Sequence, residues 1–364
     1  MKTESLIKAL KVCRGAVESA GIYPIFSHYC FADDFVYGFN DVCAIVVPFP
    51  SGISAGLRGD VLLPLLGTMG EEVTLTEQKN DSILLVSGKS KVELAALPEE
   101  AFMFQPPEEE WTFEAEAQSG FFAGLSRCTS TLGDDAQNRE FTGVTVLYDG
   151  KVLTLYSSDD VRLSKFSAVG TITTKSKKPG KWLIPGRACT LLLDCWQNAK
   201  EDGGETPSTL TLQFSNDWLR LSSDNFDFYS KLMPETPPDY LAVIKKVAPK
   251  ETIWQPVPVS FTAALRRAEI LVGKDSAAAV QLDMEKKTLR LELVKGRGLR
   301  YGELEETVTL MTPVPELSLM AGIVKLVASV DSVEEVSFNE TCIGLRTRDE
   351  LYTCWVSPMG SAEE

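Results

Sequence analysis

Histidine is almost absent from this sequence: His28 is the only one among 364 residues. A zinc site that uses two or three imidazoles therefore cannot be assembled within one chain. The eight cysteines are scattered, and no two of them form a Cys-x-x-Cys pair, so a common zinc-binding spacing is missing as well. We expect no metal site, no cofactor and no catalytic residues that depend on a histidine pair.

Long apolar runs are missing too. No stretch approaches the roughly 18 consecutive apolar residues that a membrane-spanning helix needs. The first residues, MKTESLIKALK, alternate charged and apolar side chains and do not form the apolar core of an export signal. Scattered cysteines without an export signal are typical of a reducing compartment. We therefore expect a cytoplasmic protein with no membrane partner.

Positive charge is scarce. The chain has 36 Lys and Arg against 51 Asp and Glu, which gives a formal net charge of -15. This balance argues against a protein that coats nucleic acid with a basic surface. It does not exclude a basic surface inside an acidic shell, because the location of charge matters more than its sum. At about 150 residues per domain, the length predicts two to three domains.

Short apolar or alternating runs predict a strand-rich chain, and turn residues separate several of them. The predicted strands are Val42–Val47, Ser82–Val86, Lys91–Leu94, Gly143–Leu147, Val152–Tyr156, Leu210–Phe214, Trp218–Leu221, Ala279–Met284, Thr288–Leu293, Thr307–Leu310 and Thr341–Arg346.

Helical patterns recur at a regular interval. One set is predicted at Asp60–Met69, Arg187–Ala199 and Leu317–Val330, with starts 127 and then 130 residues apart. A second set, at Ser5–Val17, Gln118–Ser126 and Phe261–Leu271, precedes the first set in each third of the chain. The recurrence predicts three copies of a unit of about 120 residues, each with two helices and about eight strands.

Two short motifs superficially match catalytic signatures. Residues 52–56 read Gly-Ile-Ser-Ala-Gly, the pattern of a nucleophile elbow, but that motif needs a helix after the serine and a histidine later in the chain. His28 lies upstream, and we interpret it as a structural histidine. Residues 88–90, Gly-Lys-Ser, resemble the end of a P-loop, but Ile83 occupies the place of its first glycine. We predict a turn at each motif and no enzyme activity.

The densest basic run is Lys-Ser-Lys-Lys-Pro-Gly-Lys at residues 175–181. Proline and glycine indicate a loop. Such a run is either a solvated linker or a phosphate-contacting segment, and the sequence leaves both readings open. The adjacent carboxylates at 33–34, 134–135 and 159–160 are interpreted as solvated or turn-capping residues.

Segments along nearly the whole chain resemble one known family, in its order and spacing. They lie at residues 23–26, 92–102, 149–153, 157–163, 183–188, 228–232, 238–240, 267–271, 302–306 and 355–359. The family is the bacterial-type DNA sliding clamp, the beta subunit of DNA polymerase III. The collinear arrangement of the matches is more specific than any one of them.

The resemblance implies an α+β fold of three repeated clamp-type domains, at residues 1–112, 113–247 and 248–364. Each domain packs two helices on antiparallel sheets, and one chain forms half of a closed ring. The implied function is that of a DNA polymerase processivity factor, a head-to-tail homodimer that encircles double-stranded DNA without sequence specificity. It implies a replicative DNA polymerase and a clamp loader as partners, and a cytoplasmic, nucleoid-associated location.

The resemblance also implies three functional surfaces. A hydrophobic peptide-binding pocket would comprise Thr142, Ser158, Arg162, Leu163, Pro238, Val243, Trp355, Val356, Pro358 and Met359. The dimer interface would use Val92, Leu94, Ile270 and Leu271. The DNA-facing cations would be Lys8, Lys11, Arg14, Arg127, Lys200, Arg266 and Arg267.

The chain departs from the family pattern at the pocket. Asp160 and Val161 replace a Gly-His pair, Thr142 replaces a leucine, and Ser357 replaces the first methionine of the C-terminal motif. We therefore expect an altered pocket floor. The inward helices carry few cations, so we expect a thin basic inner surface. An alternative function is a clamp-like protein-interaction scaffold that does not encircle DNA.

Overall fold

A computed structural model describes residues 1–19, 23–32, 34–134, 137–201, 210–248, 252–273, 278–294 and 302–359, with the backbone alone for residues 198–201. The α-helices in these ranges are α1 (Thr3–Cys13), α2 (Gly59–Leu66), α3 (Ser119–Thr129), α4 (Gly186–Glu201), α5 (Tyr240–Val247), α6 (Val259–Val272) and α7 (Ile323–Val330).

The strands of the first half of the described chain are β1 (His28–Ala32), β2 (Phe35–Phe39), β3 (Cys43–Pro48), β4 (Ser54–Arg58), β5 (Thr74–Gln78), β6 (Ser82–Ser87), β7 (Ser90–Ala95), β8 (Leu97–Pro98), β9 (Phe113–Ala117), β10 (Gly143–Tyr148), β11 (Leu153–Ser158), β12 (Arg162–Ser167) and β13 (Ile172–Thr174). The later strands are β14 (Gly180–Pro185), β15 (Leu210–Phe214), β16 (Trp218–Ser222), β17 (Asp227–Lys231), β18 (Gln255–Pro256), β19 (Ala279–Leu293), β20 (Glu305–Gly322), β21 (Glu335–Asn339), β22 (Cys342–Arg346) and β23 (Tyr352–Val356).

The chain packs as two compact units. Unit 1 comprises Met1–Phe122 and Gly170–Pro234, and unit 2 comprises Ala123–Val169 and Glu235–Glu364. Unit 1 contains a sheet with the strand order β13-β9-β15-β16-β17-β3-β2-β1-β4-β8, and a second sheet with the order β5-β6-β7. Unit 2 contains neighbouring strands in the order β10-β11-β12-β23-β22-β21-β18, together with the ribbon of β19 and β20.

Helix α1 shows how local pattern becomes packing in unit 1. Leu6, Leu10 and Cys13 fall on one helix face, and each is fully buried. That face packs on β2 and β3. Burial of such side chains stabilises a fold by about 1.5–3 kcal/mol each. Lys8 and Lys11 on the other side of α1 are exposed, as the sequence predicts.

Sheet pairing crosses both predicted domain boundaries. In unit 1, β3 pairs with β17, with Phe228 opposite Ile45. In unit 2, β12 pairs with β23, with Leu163 opposite Trp355. Strands from neighbouring predicted domains therefore share one sheet in each unit. The boundaries at 112 and 247 stay a prediction.

The helix predictions are confirmed except at one start. Residues 317–322 do not open a helix; they end β20, and α7 begins at Ile323. Leu319 pairs opposite Leu282 and Ala321 opposite Val280, and all four of these side chains are buried. The apolar residues at 317, 319 and 321 alternate with period two, which is the strand pattern. Helix α5 was not among the predicted helices.

Neither of the two short motifs has the structure of a catalytic site. A strand begins at Ser54, inside the first motif where a turn was predicted, and the second motif lies at a turn as predicted. Ser54 opens β4, which pairs with β1, so the residues directly after the serine form a strand and not a helix. Gly88 lies in the β6–β7 hairpin turn with φ of 57°, a conformation that favours glycine. His28 is buried, and its Nδ1 lies 2.6 Å from the Pro24 carbonyl oxygen. Burial lowers the pKa of His28, which fits a neutral structural histidine.

Across the described ranges, none of the helices is both long enough and apolar enough to cross a membrane.

Candidate binding surfaces

An aromatic and aliphatic cluster in unit 2 forms the centre of the candidate pocket. Its buried members are Tyr156 of β11, Leu163 of β12 and Tyr240 of α5. Partly buried side chains pack against them, from Phe141, Leu147, Ile244 and Trp355. We call these seven residues the apolar cluster. Two of them, Leu163 and Trp355, were predicted pocket residues.

The β12–β23 pairing brings predicted pocket residues together. Leu163 lies opposite Trp355, and Arg162 lies opposite Val356. Residues 162 and 163 are far from 355 and 356 in sequence, so only sheet pairing makes them neighbours. Val356 is fully buried, so it supports the sheet and presents no surface of its own.

Helix α5 contributes Tyr240 and Ile244 to the apolar cluster. The Asp239 side chain caps the helix by accepting a hydrogen bond of 3.1 Å from the Ala242 N–H. The Tyr240 ring stacks on Tyr156, with ring centroids 5.4 Å apart and planes 8° apart. Val243 lies nearly one turn after Tyr240 and is 41% exposed, and Leu241 is 48% exposed. The helix therefore leaves apolar surface open next to the cluster, just after Pro238.

Thr142 directly follows Phe141 of the apolar cluster in the chain. It ends a short 3-10 helix, Arg139–Thr142, and its hydroxyl donates to the Arg139 carbonyl oxygen at 2.8 Å. Phe141 of the same helix belongs to the apolar cluster. An ion pair of 3.0 Å between Arg139 and Glu235 ties this helix to the segment before α5. A threonine here is more polar than the leucine that the sequence resemblance leads us to expect.

A buried charged network lies beneath the β11–β12 turn. Arg162 Nε donates to Asp159 at 3.0 Å, and Arg162 Nη2 donates to the Ser130 carbonyl oxygen at 2.8 Å. Asp159 also accepts a hydrogen bond from Lys325 of α7. The side chains of Arg162 and Asp159 are only 5% and 2% exposed, and that of Lys325 is 37% exposed. We call Asp159, Arg162 and Lys325 the buried charge network.

The charge network controls the ionisation of its carboxylate. Burial by itself would raise the pKa of Asp159, because a charged group loses solvation. Hydrogen bonds from Lys325 and Arg162 outweigh burial and hold the pKa of Asp159 below its ordinary value. The Nη1 atom of Arg162 is buried and has no hydrogen-bond partner in the described part of the chain. The network is therefore held together by charge and not by complete hydrogen bonding.

The turn that carries Asp159 keeps a glycine-like backbone. Asp160 has φ of 67°, in the left-handed region that favours glycine. The Ser158 hydroxyl donates to the Arg162 carbonyl oxygen at 2.7 Å and accepts from the Asp160 N–H at 3.3 Å. Aspartate tolerates this region better than most residues. Asp160 thus keeps the turn in which the sequence resemblance leads us to expect a glycine, and it adds a carboxylate there.

Backbone hydrogen bonds fix the end of the described chain, one of them to the β11–β12 turn. The Ser357 N–H donates to the Val161 carbonyl oxygen at 2.8 Å, and the Met359 N–H donates to the Met320 carbonyl oxygen at 2.6 Å. Pro358 and Met359 are half-buried. Both thus retain a partly accessible surface.

Sequence reasoning missed five members of the apolar cluster: Phe141, Leu147, Tyr156, Tyr240 and Ile244. A signal existed for two of them. Tyr240 is the last residue of the family-like segment 238–240, and Ile244 follows it at helical spacing. Tyr156 carried no such signal, because its stacking partner is distant in sequence.

The predicted interface residues lie on two elements. Ile270 of α6 is 72% exposed and Leu271 is half-buried. Val92 and Leu94 are half-buried on β7, where they alternate with exposed residues. β7 is the outer strand of its sheet. An exposed isoleucine and an edge strand are features that a partner chain commonly covers. Their contact with each other across two copies stays a prediction.

The predicted DNA-facing cations differ in availability. Lys11 is exposed on α1, and exposed Arg14 donates from Nη1 to the Val17 carbonyl oxygen at 2.6 Å. The Arg127 guanidinium lies 5.3 Å from the Tyr352 ring centroid, a cation–π contact. Lys8 is also exposed. The side chain of Lys200 lies outside the described residues.

The two arginines of α6 are ion-paired. Arg266 Nη2 lies 3.0 Å from Asp331 Oδ1, and Arg267 makes two contacts of 2.5 Å with the Glu306 carboxylate. The hydrogen bond from Arg267 lowers the pKa of Glu306, so the acid stays ionised at neutral pH. These pairs reduce the positive charge that α6 offers to an anionic ligand.

Within the described chain, no group of three or more His, Cys, Asp or Glu side chains is arranged to hold a metal ion.

The structure is similar over its whole length to solved sliding clamps. The Bacillus subtilis DNA polymerase sliding clamp matches with a TM-score of 0.86 at 17% identity, covering 99% of this chain and 98% of that one. The Pseudomonas aeruginosa clamp solved with a ligand matches with a TM-score of 0.84 at 18% identity, covering 99% of both chains. The Thermotoga maritima DNA polymerase III beta subunit matches with a TM-score of 0.81 at 17% identity, covering 100% and 99%.

No family model matches this chain, and no curated protein matches it. The structural likeness therefore establishes the fold: the chain has the α+β fold of the bacterial sliding clamps, as the sequence resemblance predicted.

The buried charge network predicts a pH-dependent loss of stability. Asp159→Asn should lower the free energy of unfolding at pH 7 by about 3 kcal/mol, because Arg162 would remain buried without its anion. The folded-state pKa of Asp159 is depressed. Its stabilisation is therefore present above the unfolded pKa of about 3.9 and is lost as the pH falls through the folded value.

Urea unfolding at pH 7 and at pH values below 4 measures this difference between Asp159→Asn and the unaltered chain. The difference should shrink as the pH falls. Asp331→Asn is the matched control, since its ion pair with Arg266 is exposed and should cost at most about 1 kcal/mol. Equal losses for the two variants at pH 7 would contradict a structural role for the buried network.

Proposed function

We propose that this chain is a divergent sliding clamp, a DNA polymerase processivity factor that encircles duplex DNA as a head-to-tail homodimer. The observation that supports this most strongly is the fold likeness, which extends over 99% of the chain and is not limited to one domain. The order of the family-like segments in the sequence adds independent support. Three domains at 1–112, 113–247 and 248–364 belong to the proposal.

The peptide pocket would tether the replicative polymerase and other partners. The apolar cluster gives it a hydrophobic floor, and the exposed side chain of Val243 extends this surface along α5. Met359 adds a flexible side chain that adapts to different apolar peptides. Short apolar segments that dock in such a groove need few polar contacts for binding. The polar replacements Thr142 and Asp160 would shift partner preference.

The proposed ring closes through a heterologous contact, in which different surfaces of two copies meet. Ile270 and Leu271 of one copy would pack against the β7 edge of the other, near Val92 and Leu94. The 72% exposure of Ile270 supports this assignment, since an isoleucine at that level is costly to leave in water.

DNA inside the proposed ring would be held by its phosphates and not by its bases. Lys8 and Lys11 are exposed on α1 and suit such contacts. Contact of this kind is non-specific and weakens with salt, which permits sliding. A clamp loader would open and close the ring, and the chain itself would catalyse no reaction. Its place would be the cytoplasm, at the nucleoid.

A second candidate function is a clamp-like scaffold that binds proteins but does not encircle DNA. The ion pairs of Arg266 and Arg267 favour it, because they neutralise two of the cations expected to face DNA. The scaffold would keep the peptide pocket and lose the topological link to DNA.

Retention on circular DNA separates the two functions. The purified full-length protein is loaded onto nicked circular DNA with the cognate clamp loader and ATP, and bound protein is measured after gel filtration. A sliding clamp stays on the circle and leaves after the DNA is linearised, because only topology holds it. Absence of retention on the circle, with peptide binding intact, would favour the scaffold.

The interface assignment predicts a monomeric variant. Ile270→Asp combined with Leu271→Asp should convert the dimer to monomers, because burial of unpaired carboxylates at the interface is costly. Light scattering at micromolar concentration should give twice the chain mass for the unaltered protein and one chain mass for the variant. Val61→Asp, at another exposed apolar position on a helix, should stay dimeric. A dimeric double variant would refute the assigned interface.

The pocket assignment predicts loss of peptide binding without unfolding. Val243→Asp and Met359→Asp should each weaken binding of a labelled apolar peptide from a replicative polymerase by at least about tenfold, or 1.4 kcal/mol. Val243 is 41% exposed, so its replacement should leave the fold intact. Fluorescence anisotropy measures the affinity, and Val61→Asp serves as the control. Unchanged affinity in both pocket variants would show that the pocket lies elsewhere.

A further inference from the structure

The basic loop between β13 and β14 is the densest group of available cations. Lys175, Lys177 and Lys178 are all exposed. None of them forms an ion pair within the described part of the chain. Three like charges within four residues repel each other, so an anionic ligand would stabilise them. In a chain with a net charge of -15, such a group is exceptional.

Hydrogen bonds anchor the N-terminal end of this loop to β9. The Thr174 hydroxyl donates to the Glu114 carbonyl oxygen at 2.5 Å, and the Ser176 N–H donates to Thr174 Oγ1 at 3.0 Å. The Ser176 hydroxyl accepts from the Glu114 N–H at 3.3 Å. Ser176 therefore turns toward β9, and Lys175 and Lys177 on either side of it point to solvent.

Close packing anchors the other end of the loop. Pro179 fixes one backbone angle. A Cβ atom on Gly180 would lie 2.1 Å from the Trp182 ring, so only glycine allows this approach. The buried Trp182 side chain donates from Nε1 to the Ser215 carbonyl oxygen at 3.0 Å and stacks on Phe214. The three lysines are thus displayed from a segment that is fixed at both ends.

An anchored loop with unpaired lysines has two advantages for anion binding. The backbone loses little conformational freedom when a ligand binds, which lowers the cost of association. No internal ion pair must be broken first. The arginines of α6 differ, because Arg266 and Arg267 would have to leave Asp331 and Glu306.

We propose that residues 175–178 form a DNA-contacting surface in which Lys175, Lys177 and Lys178 bind phosphates of the duplex backbone. Lysine heads act as mobile point charges, which suit non-specific phosphate contact and sliding. Of the residues in this segment, only Ser176 is not a lysine, and its side chain is turned inward, so the segment offers no apolar surface for an acidic protein partner. The proposal rests on the proposed function, and it adds a loop to the DNA contacts proposed for α1.

Salt-dependent DNA binding tests this surface. The full-length protein and the variant with Lys175→Gln, Lys177→Gln and Lys178→Gln are titrated against a linear labelled duplex, without loader, between 25 and 200 mM salt. Each lost phosphate contact should reduce the slope of log affinity against log salt by about 0.9, up to about 2.7 for three. Affinity at the lowest salt should fall at least tenfold.

The control variant carries Lys79→Gln, Lys89→Gln and Lys287→Gln. These lysines are exposed, and their replacement changes the net charge equally. The control should keep the original slope. Three results would each overturn the proposal. The unaltered protein and the loop variant could have equal slopes, both variants could lose affinity and slope equally, or the unaltered protein could show no measurable binding. The proposal would also be overturned if the protein bound polyglutamate through the loop lysines while the loop variant bound DNA unchanged. That result would indicate an acidic protein partner.

Retention on circular DNA, measured in parallel, separates failure of this inference from failure of the proposed function. Normal retention of both proteins with equal salt slopes means that the ring function stands and the loop assignment fails. A reduced slope in the loop variant, together with absence of retention for the unaltered protein, means that the loop binds DNA and the ring function fails. Light scattering and circular dichroism check that the variant keeps its assembly and fold.

Discussion

The antiparallel pairing of β12 with β23 is the constraint on which the candidate peptide site depends. It sets Leu163 opposite Trp355 and Arg162 opposite Val356. The turn before β12 holds Asp159, whose carboxylate joins Arg162 to Lys325 of α7. A register shift of one residue would turn Leu163 away from the apolar cluster. The apolar cluster and the charge network therefore depend on one sheet register.

The distribution of charge bears on how the proposed ring of acidic chains would hold DNA. The net charge of -15 repels a polyanion at long range, and salt screens this repulsion beyond about 8–10 Å. The arginines of α6 are paired with acids, whereas the lysines of α1 and of the 175–178 segment are exposed. Binding would therefore be local and weak, which suits a protein that topology retains.

Sequence reasoning worked where the signal is local. The face of Leu6, Leu10 and Cys13 predicted α1 correctly, because helical spacing alone decides which side is buried. It failed at residues 317–322, where a helix was predicted. These residues form part of a strand, because they pair with β19. Tyr156 and Lys325 could not be assigned, since their contacts join residues 84 and 166 positions apart. The family resemblance supplied Leu163 and Trp355, which pattern alone would not have joined.

The central claim is a closed ring of two chains. Electron microscopy of the purified full-length protein, without DNA or loader, tests it most directly. We expect two-fold symmetric rings of two copies with a continuous wall and a central opening wide enough for a DNA duplex. Monomers, or dimers without a central opening, under conditions where the chain is folded, would contradict it.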